Sequence, residues 1–139
     1  MDFTLNLVPN HQAIYFVDET MASYTNLYDV PSKKELCFVV HELVINAIEA
    51  MKNTQFNEGA KIQVHVSQND ESVKVTVIDQ AKGIPEKDWD KVLQFNLDGH
   101  TFSDRGRGLF FVKSMVDEIW FENVSDTKFL VGVSKKISV

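Results

Sequence analysis

A single cysteine, Cys37, in 139 residues excludes an internal disulfide. It falls among apolar residues of a helical pattern, so a buried thiol in a reducing compartment is expected rather than a nucleophile. No apolar run approaches the roughly eighteen residues that a spanning helix needs, and no signal peptide opens the chain, so a soluble cytoplasmic protein without membrane contact is expected. The four histidines, His11, His41, His65 and His100, form no pair at metal-ligand spacing. They read as ordinary surface or edge residues, and zinc chemistry is not indicated. No serine sits in a nucleophile elbow, and no repeat, low-complexity tract or linker divides the chain. Basic residues are also in the minority, 14 Lys and Arg against 20 Asp and Glu, and the net charge of −6 argues against a nucleic-acid partner.

What is present suffices for one domain spanning residues 1–139. Hydrophobic residues make up 44% of the chain and ten are phenylalanine, enough to bury a real core. Phe3, Leu5 and Leu7 alternate with polar residues as an amino-terminal strand, and Pro9 and Asn10 open a helix from about His11 to Tyr28. Lys61 to Val66 and Val73 to Val77 alternate with period two around a turn at Gln68 to Glu71, and Ile119 to Val124 pairs with Thr127 to Ser138. The expected fold is an α/β two-layer sandwich, with a mixed, mostly antiparallel sheet and helices on one face.

Three segments carry chemistry. The first, HELVINAIEA from His41, lies on a helix running from about Lys33 to about Asn53, after Val30-Pro31 blocks continuation and Ser32 and Glu35 form a capping box. At roughly 100° per residue, Glu35, Glu42, Asn46, Glu49 and Asn53 fall in a stripe about 60° wide, with apolar residues on the remaining circumference. A solvated face would be broader, so the carboxylates and amides are expected to line a cavity. Glu42 and Asn46 lie one turn apart, which sets a carboxylate beside a carbonyl oxygen. Magnesium accepts such oxygen ligands and retains several waters, leaving the neighbouring carboxylate to orient or deprotonate a nucleophile.

In the second segment Val77 and Ile78 deliver Asp79 to a strand end, and Gly83, Ile84 and Pro85 close the loop behind it. That carboxylate can accept a hydrogen bond from a ligand, or bond to its own turn backbone; the segment alone leaves both readings open. In the third segment Gly106 and Gly108 permit close backbone approach before a helix beginning near Gly108, and Arg105, Arg107 and Lys113 bring positive charge. An anion is expected at this helix start, with Leu109, Val112, Met115, Val116 and Ile119 turned to the core.

The combination of Glu-x-x-x-Asn on a helix, strand-Asp-x-x-x-Gly about thirty residues on, and Gly-x-Gly before a helix resembles the Bergerat ATP-binding fold of DNA gyrase, MutL, histidine kinases and anti-sigma-factor serine kinases. The resemblance covers roughly Phe3 to Ile137, and GRGLFFVKSMVDEI looks most like the RsbW and SpoIIAB group of serine kinases. It implies ATP and Mg2+ as cofactors, Glu42 as general base, Asn46 as magnesium ligand and Asp79 as acceptor for the adenine amine. It also implies Gly83 beneath the base, Gly106 and Gly108 in a lid against the phosphates, and Thr127 as the last-strand threonine that reaches the adenine side through Asp79 or water. Two positions depart from the family pattern: Ala81 replaces the first glycine of the Asp-x-Gly-x-Gly box, and Ala50 stands where many of the serine kinases carry histidine.

The function this implies is serine/threonine protein kinase activity on a small regulatory protein, an anti-sigma antagonist, with a sigma factor as a further partner and homodimerisation left open. A nucleotide-dependent binding module with little catalysis is the alternative, favoured by Ala50 and Ala81. A third possibility is the ATPase half of a two-component sensor; no phosphoacceptor-histidine helix precedes the domain, so a whole histidine kinase is not expected. Between Pro85 and Arg105 a short helix is expected at Glu86 to Leu93, followed from Gln94 to Arg107 by a stretch expected to close over phosphates.

Overall fold

The computed structural model describes residues 1–52, 59–93 and 108–137. Five strands form one sheet in the order β1 (Asp2–Leu7), β2 (Ile62–Gln68), β3 (Ser72–Asp79), β5 (Lys128–Lys136), β4 (Glu118–Ser125). Every pairing among them is antiparallel. The sheet is thus antiparallel as mainly expected, and the parallel component of a mixed sheet is absent among the described strands. Hairpins account for two of the pairings, since β2 with β3 and β4 with β5 are each joined by a tight turn. The first turn is fixed by Asn69, whose Oδ1 accepts the amides of Glu71 and Ser72, both at 2.8 Å.

Period two then divides the sheet into two faces. Ile62, Val64 and Val66 of β2, Val73, Val75 and Val77 of β3, and Phe129, Val131 and Val133 of β5 are buried against the helices. The opposite face carries Thr4, His65, Thr76, Gly132 and Trp120 in one cross-strand row. There Thr4 Oγ1 lies 2.7 Å from His65 Nδ1, and Trp120 lies flat over Gly132, where a Cβ would strike the indole.

Two long helices cover the buried face. Helix α1 (His11–Leu27) is capped by Asn10, whose Oδ1 accepts the Ala13 amide at 3.1 Å. Helix α2 (Lys33–Lys52) runs through the centre and buries Leu36, Val39, Val40, Leu43, Val44, Ala47, Ile48 and Met51. Its start departs from expectation. Ser32 takes φ 56°, and its carbonyl, not its side chain, engages the helix by accepting the Leu36 amide at 3.0 Å. Glu35 is drawn away to Lys135 of β5, Nζ to Oε2 2.9 Å, so the capping box does not form. A cross-fold ammonium outcompetes a local amide for Glu35.

After β3 the chain makes a single 3-10 turn, Glu86–Asp88, and helix α3 (Trp89–Val92), matching the short helix expected there. Trp89 anchors it by donating Nε1–H to the Ile84 carbonyl at 2.8 Å and by meeting Phe121 edge to face. Helix α4 (Leu109–Met115) buries Leu109 and Val112 and packs on α2. It stops before Val116, which is already extended, so Ile119 belongs to β4 rather than to that helix.

Candidate functional site

Helix α2 packs against β3, which ends at Asp79, and against α4, which follows Gly108. Asn46 projects from the middle of α2 and is only 7% exposed, yet among the described residues neither Oδ1 nor Nδ2 has a hydrogen-bond partner. Burying an amide unpaired costs roughly 1–3 kcal/mol, which makes this side chain a candidate to pair with a ligand. One turn earlier Glu42 is half-buried and lies against Gly108, the residue that opens α4; a Cβ on Gly108 would collide with Glu42 Oε2. The Glu42 carboxylate thus sits directly against the start of α4, and it would have to swing aside for any side chain at position 108.

The polar stripe expected on α2 is therefore narrower still. Glu35 is committed to Lys135, Glu49 is exposed, and Asn53 lies outside the described residues. Among the described residues of the stripe, only Glu42 and Asn46 turn inward. The sequence pattern could not separate them from their neighbours, because helical periodicity gives an angle and not what faces it.

Asp79 ends β3 and is 1% exposed, and its Oδ1 accepts the Ala81 amide at 3.1 Å. The turn bond weighed as the alternative role for Asp79 is thus formed, and it holds the loop against the strand that delivers the carboxylate. Ala81 is itself buried and takes no left-handed φ, so alanine is accommodated where the family pattern has glycine. Gly83 is different. A Cβ there would overlap the Phe129 ring and Asn123 Oδ1, although its φ is not left-handed either. Space, not backbone conformation, demands this glycine.

Phe129 and Asn123 were not singled out by sequence reasoning. Register explains why: Asp79 pairs with Phe129 on β5, and Phe129 pairs with Asn123 on β4, giving one row from three strands. Gly83→Ala should therefore destabilise the fold by about 1–3 kcal/mol through overpacking against Phe129. Urea unfolding monitored by tryptophan fluorescence checks this, and an unchanged midpoint would mean that the loop lifts off Phe129 freely.

Thr127 is exposed in the β4–β5 turn, where its hydroxyl lies 3.4 Å from Ser125 Oγ. It precedes β5 instead of standing in it, a correction that follows from the turn residues Asp126 and Thr127 closing the hairpin. It is two residues from Phe129, the partner of Asp79, and so remains at the Asp79 end of the sheet. Lys113 is exposed in the last turn of α4. Arg105, Gly106 and Arg107, with the whole stretch from Gln94 to Arg107, lie outside the described residues.

One histidine reading is corrected. His41, adjacent to Glu42, is half-buried, with Nδ1 at 2.9 and 3.1 Å from the two carboxylate oxygens of Asp18 on α1. Partners 23 residues apart leave no local signal in a sequence.

A family model matches most of the chain. The description "Histidine kinase-, DNA gyrase B-, and HSP90-like ATPase" fits residues 32–137. The chain belongs to this family. It is an ATP-binding, kinase-like domain with the two-layer fold of histidine kinase catalytic domains.

Among solved structures, the catalytic domain of the histidine kinase ThkA aligns over 99% of both chains with TM-score 0.65 at 18% identity. The mycobacterial sensor histidine kinase MprB aligns over 98% of this chain and 99% of its own with TM-score 0.59 at 13% identity. At such identities the likeness concerns the fold. A probable C4-dicarboxylate sensor kinase of Halalkalibacterium halodurans is 26% identical over 103 residues, which is 74% of this chain and 19% of the relative. This ATPase-family domain therefore spans about a fifth of that protein's length. No described helix is long and apolar enough to cross a membrane.

The donor set fits a magnesium nucleotide. Asn46 Oδ1 is a buried oxygen without a partner, and no group of three His, Cys, Asp or Glu side chains able to hold a metal occurs among the described residues. A single protein oxygen suits magnesium only where phosphates and waters complete its shell.

Proposed function

We propose that this domain binds ATP with Mg2+ and transfers the terminal phosphoryl group to a serine or threonine hydroxyl of a small partner protein, as anti-sigma-factor serine kinases do. The observation that carries the reading is the Glu42 carboxylate turned inward one turn before the buried, unpartnered Asn46. Asp79, with its loop closed over Phe129, takes the adenine amine, and Gly83 of the same loop sits beneath the base. Thr127 stands at the same sheet end and would meet the adenine side through water. Asn46 Oδ1 would hold the magnesium ion, which when bound neutralises phosphate charge. The acceptor hydroxyl gives its proton to Glu42 while its oxygen forms a bond to the γ-phosphorus; the bond to the bridging oxygen breaks and ADP leaves with that electron pair. The reading does not depend on Arg105, Gly106 or Arg107.

A second reading, that the acceptor is a histidine on another chain or segment, is favoured by the sensor and histidine kinases among the relatives. The two differ in the bond formed. Terminally labelled ATP, magnesium and candidate antagonist proteins from the same genome are incubated with the protein, and the labelled product is treated with acid and with base. Label that survives acid and is lost in base is a phosphate ester of serine or threonine. Label lost in acid but stable to base is phosphohistidine and supports the second reading. Nucleotide binding without any transfer would leave a nucleotide-dependent binding module.

A further inference from the structure

Helix α1 carries two seams. The inner one, Ala13, Val17, Met21 and Tyr24, is buried in the core. The outer one, Phe16, Thr20, Ser23 and Leu27, repeats at intervals of four, three and four residues, the spacing by which one helix presents a continuous edge to another. Nothing in the described fold covers it: Phe16 is 54% exposed and Leu27 80% exposed. Beside its carboxy-terminal half runs a mainly apolar groove of about 540 Å³ between α1 and the free edge of β1, lined by Phe3, Tyr24, Leu27 and Tyr28 and bordered by Asp2 and Glu19. Tyr24 is fixed in its wall, donating its hydroxyl to Gln68 Oε1 at 2.6 Å. Burial, with the neighbouring Tyr28 contributing, pushes its pKa up to about 12, so it stays neutral there.

Charge decides what fits. The seventeen residues of α1 include Asp18 and Glu19 and no lysine or arginine. Asp18 is engaged by His41, whereas Glu19 is exposed beside the seam and has no ion pair among the described residues. A second copy of α1 laid along the first would set carboxylates together with no lysine or arginine on either helix to offset them; the neighbouring base, Lys33 of α2, is turned to Asn26 Oδ1 at 2.9 Å.

We propose that the outer seam of α1 docks an amphipathic helix of a partner protein, with apolar residues at heptad spacing and lysine or arginine flanking them. Leu27 and Phe16 are its apolar anchors, and Glu19 selects the basic flank. This surface lies beyond the nucleotide site and does not depend on which residue is phosphorylated. It connects to that site through Asp18, which holds His41 next to Glu42.

The test uses a synthetic helix of about three heptads with leucine at the two core positions and lysine at the flanking ones, and its twin with glutamate at the flanks. The lysines repel one another, so the first peptide is unpaired when alone. Calorimetry with the whole protein should give one-to-one binding of the lysine peptide and none of the glutamate peptide. Leu27→Ser and Phe16→Ser, both at exposed positions, should each weaken binding at least about tenfold while nucleotide affinity is kept. Glu19→Lys should weaken the lysine peptide and recover the glutamate one, which loss of folding could not do. Equal binding of both peptides, or indifference to Leu27→Ser, would overturn the proposal. So would a concentration-dependent dimer or vesicle binding abolished by Leu27→Ser, since the occupant would then be a second copy or a lipid surface. Failure of phosphoryl transfer with peptide binding intact counts against the kinase reading alone.

Discussion

Asp79→Asn should weaken ATP binding about ten- to a hundredfold, corresponding to roughly 1.5–3 kcal/mol for a charge-assisted hydrogen bond lost in a buried site. The substitution is nearly isosteric, and the side chain is 1% exposed at the end of β3, so little else in the pocket should move. The turn bond to the Ala81 amide needs only an oxygen at the Oδ1 position, and asparagine supplies one. The loop should therefore stay closed over Phe129. ADP should suffer as ATP does, because the missing contact is to adenine and not to phosphate. Calorimetry with both nucleotides measures this directly. Unchanged affinity for both would remove Asp79 from the adenine site and leave its carboxylate a purely structural turn former.

Glu42 and Asn46 should separate cleanly despite lying one turn apart. Glu42→Ala is expected to retain nucleotide and lose turnover by about a hundredfold or more, the usual consequence of removing a general base. Asn46→Leu should do the opposite in two respects. It should abolish the magnesium dependence of triphosphate binding, since the inward-facing oxygen is gone. It should also stabilise the nucleotide-free protein by about 1–3 kcal/mol, because a buried amide with neither atom paired is replaced by an apolar side chain of similar volume. Thermal unfolding with and without magnesium nucleotide checks both halves. A less stable Asn46→Leu in the absence of ligand would mean that the amide is satisfied within the fold, and the case for Asn46 as a waiting ligand would fail. Wild-type phosphotransfer in Glu42→Ala would show that the proton goes elsewhere.

The sequence by itself determined the elements and the three segments that carry chemistry. Alternation in β1, β2 and β3 and the helical pattern of α1 and α2 are local properties, written in spacings of two and of three to four residues, and each element lies within a few residues of its expected bounds. The family was legible for the same reason: Glu42, Asn46, Asp79, Gly83 and Gly108 sit in short motifs whose spacing survives in one dimension. Tertiary structure decided which of several equivalent residues does what. Glu35 shares its helix face with Glu42 but is captured by Lys135, a hundred positions away, so it neither caps α2 nor enters the site. Gly83 needs to be glycine because of Phe129 and Asn123, residues that only strand register brings beneath it. Gly108 lies against the Glu42 carboxylate, and His41 is held by Asp18 of α1. Each of these is a contact between elements far apart in the chain. Their side-chain geometry follows from packing the helices on the sheet, and no local spacing records it.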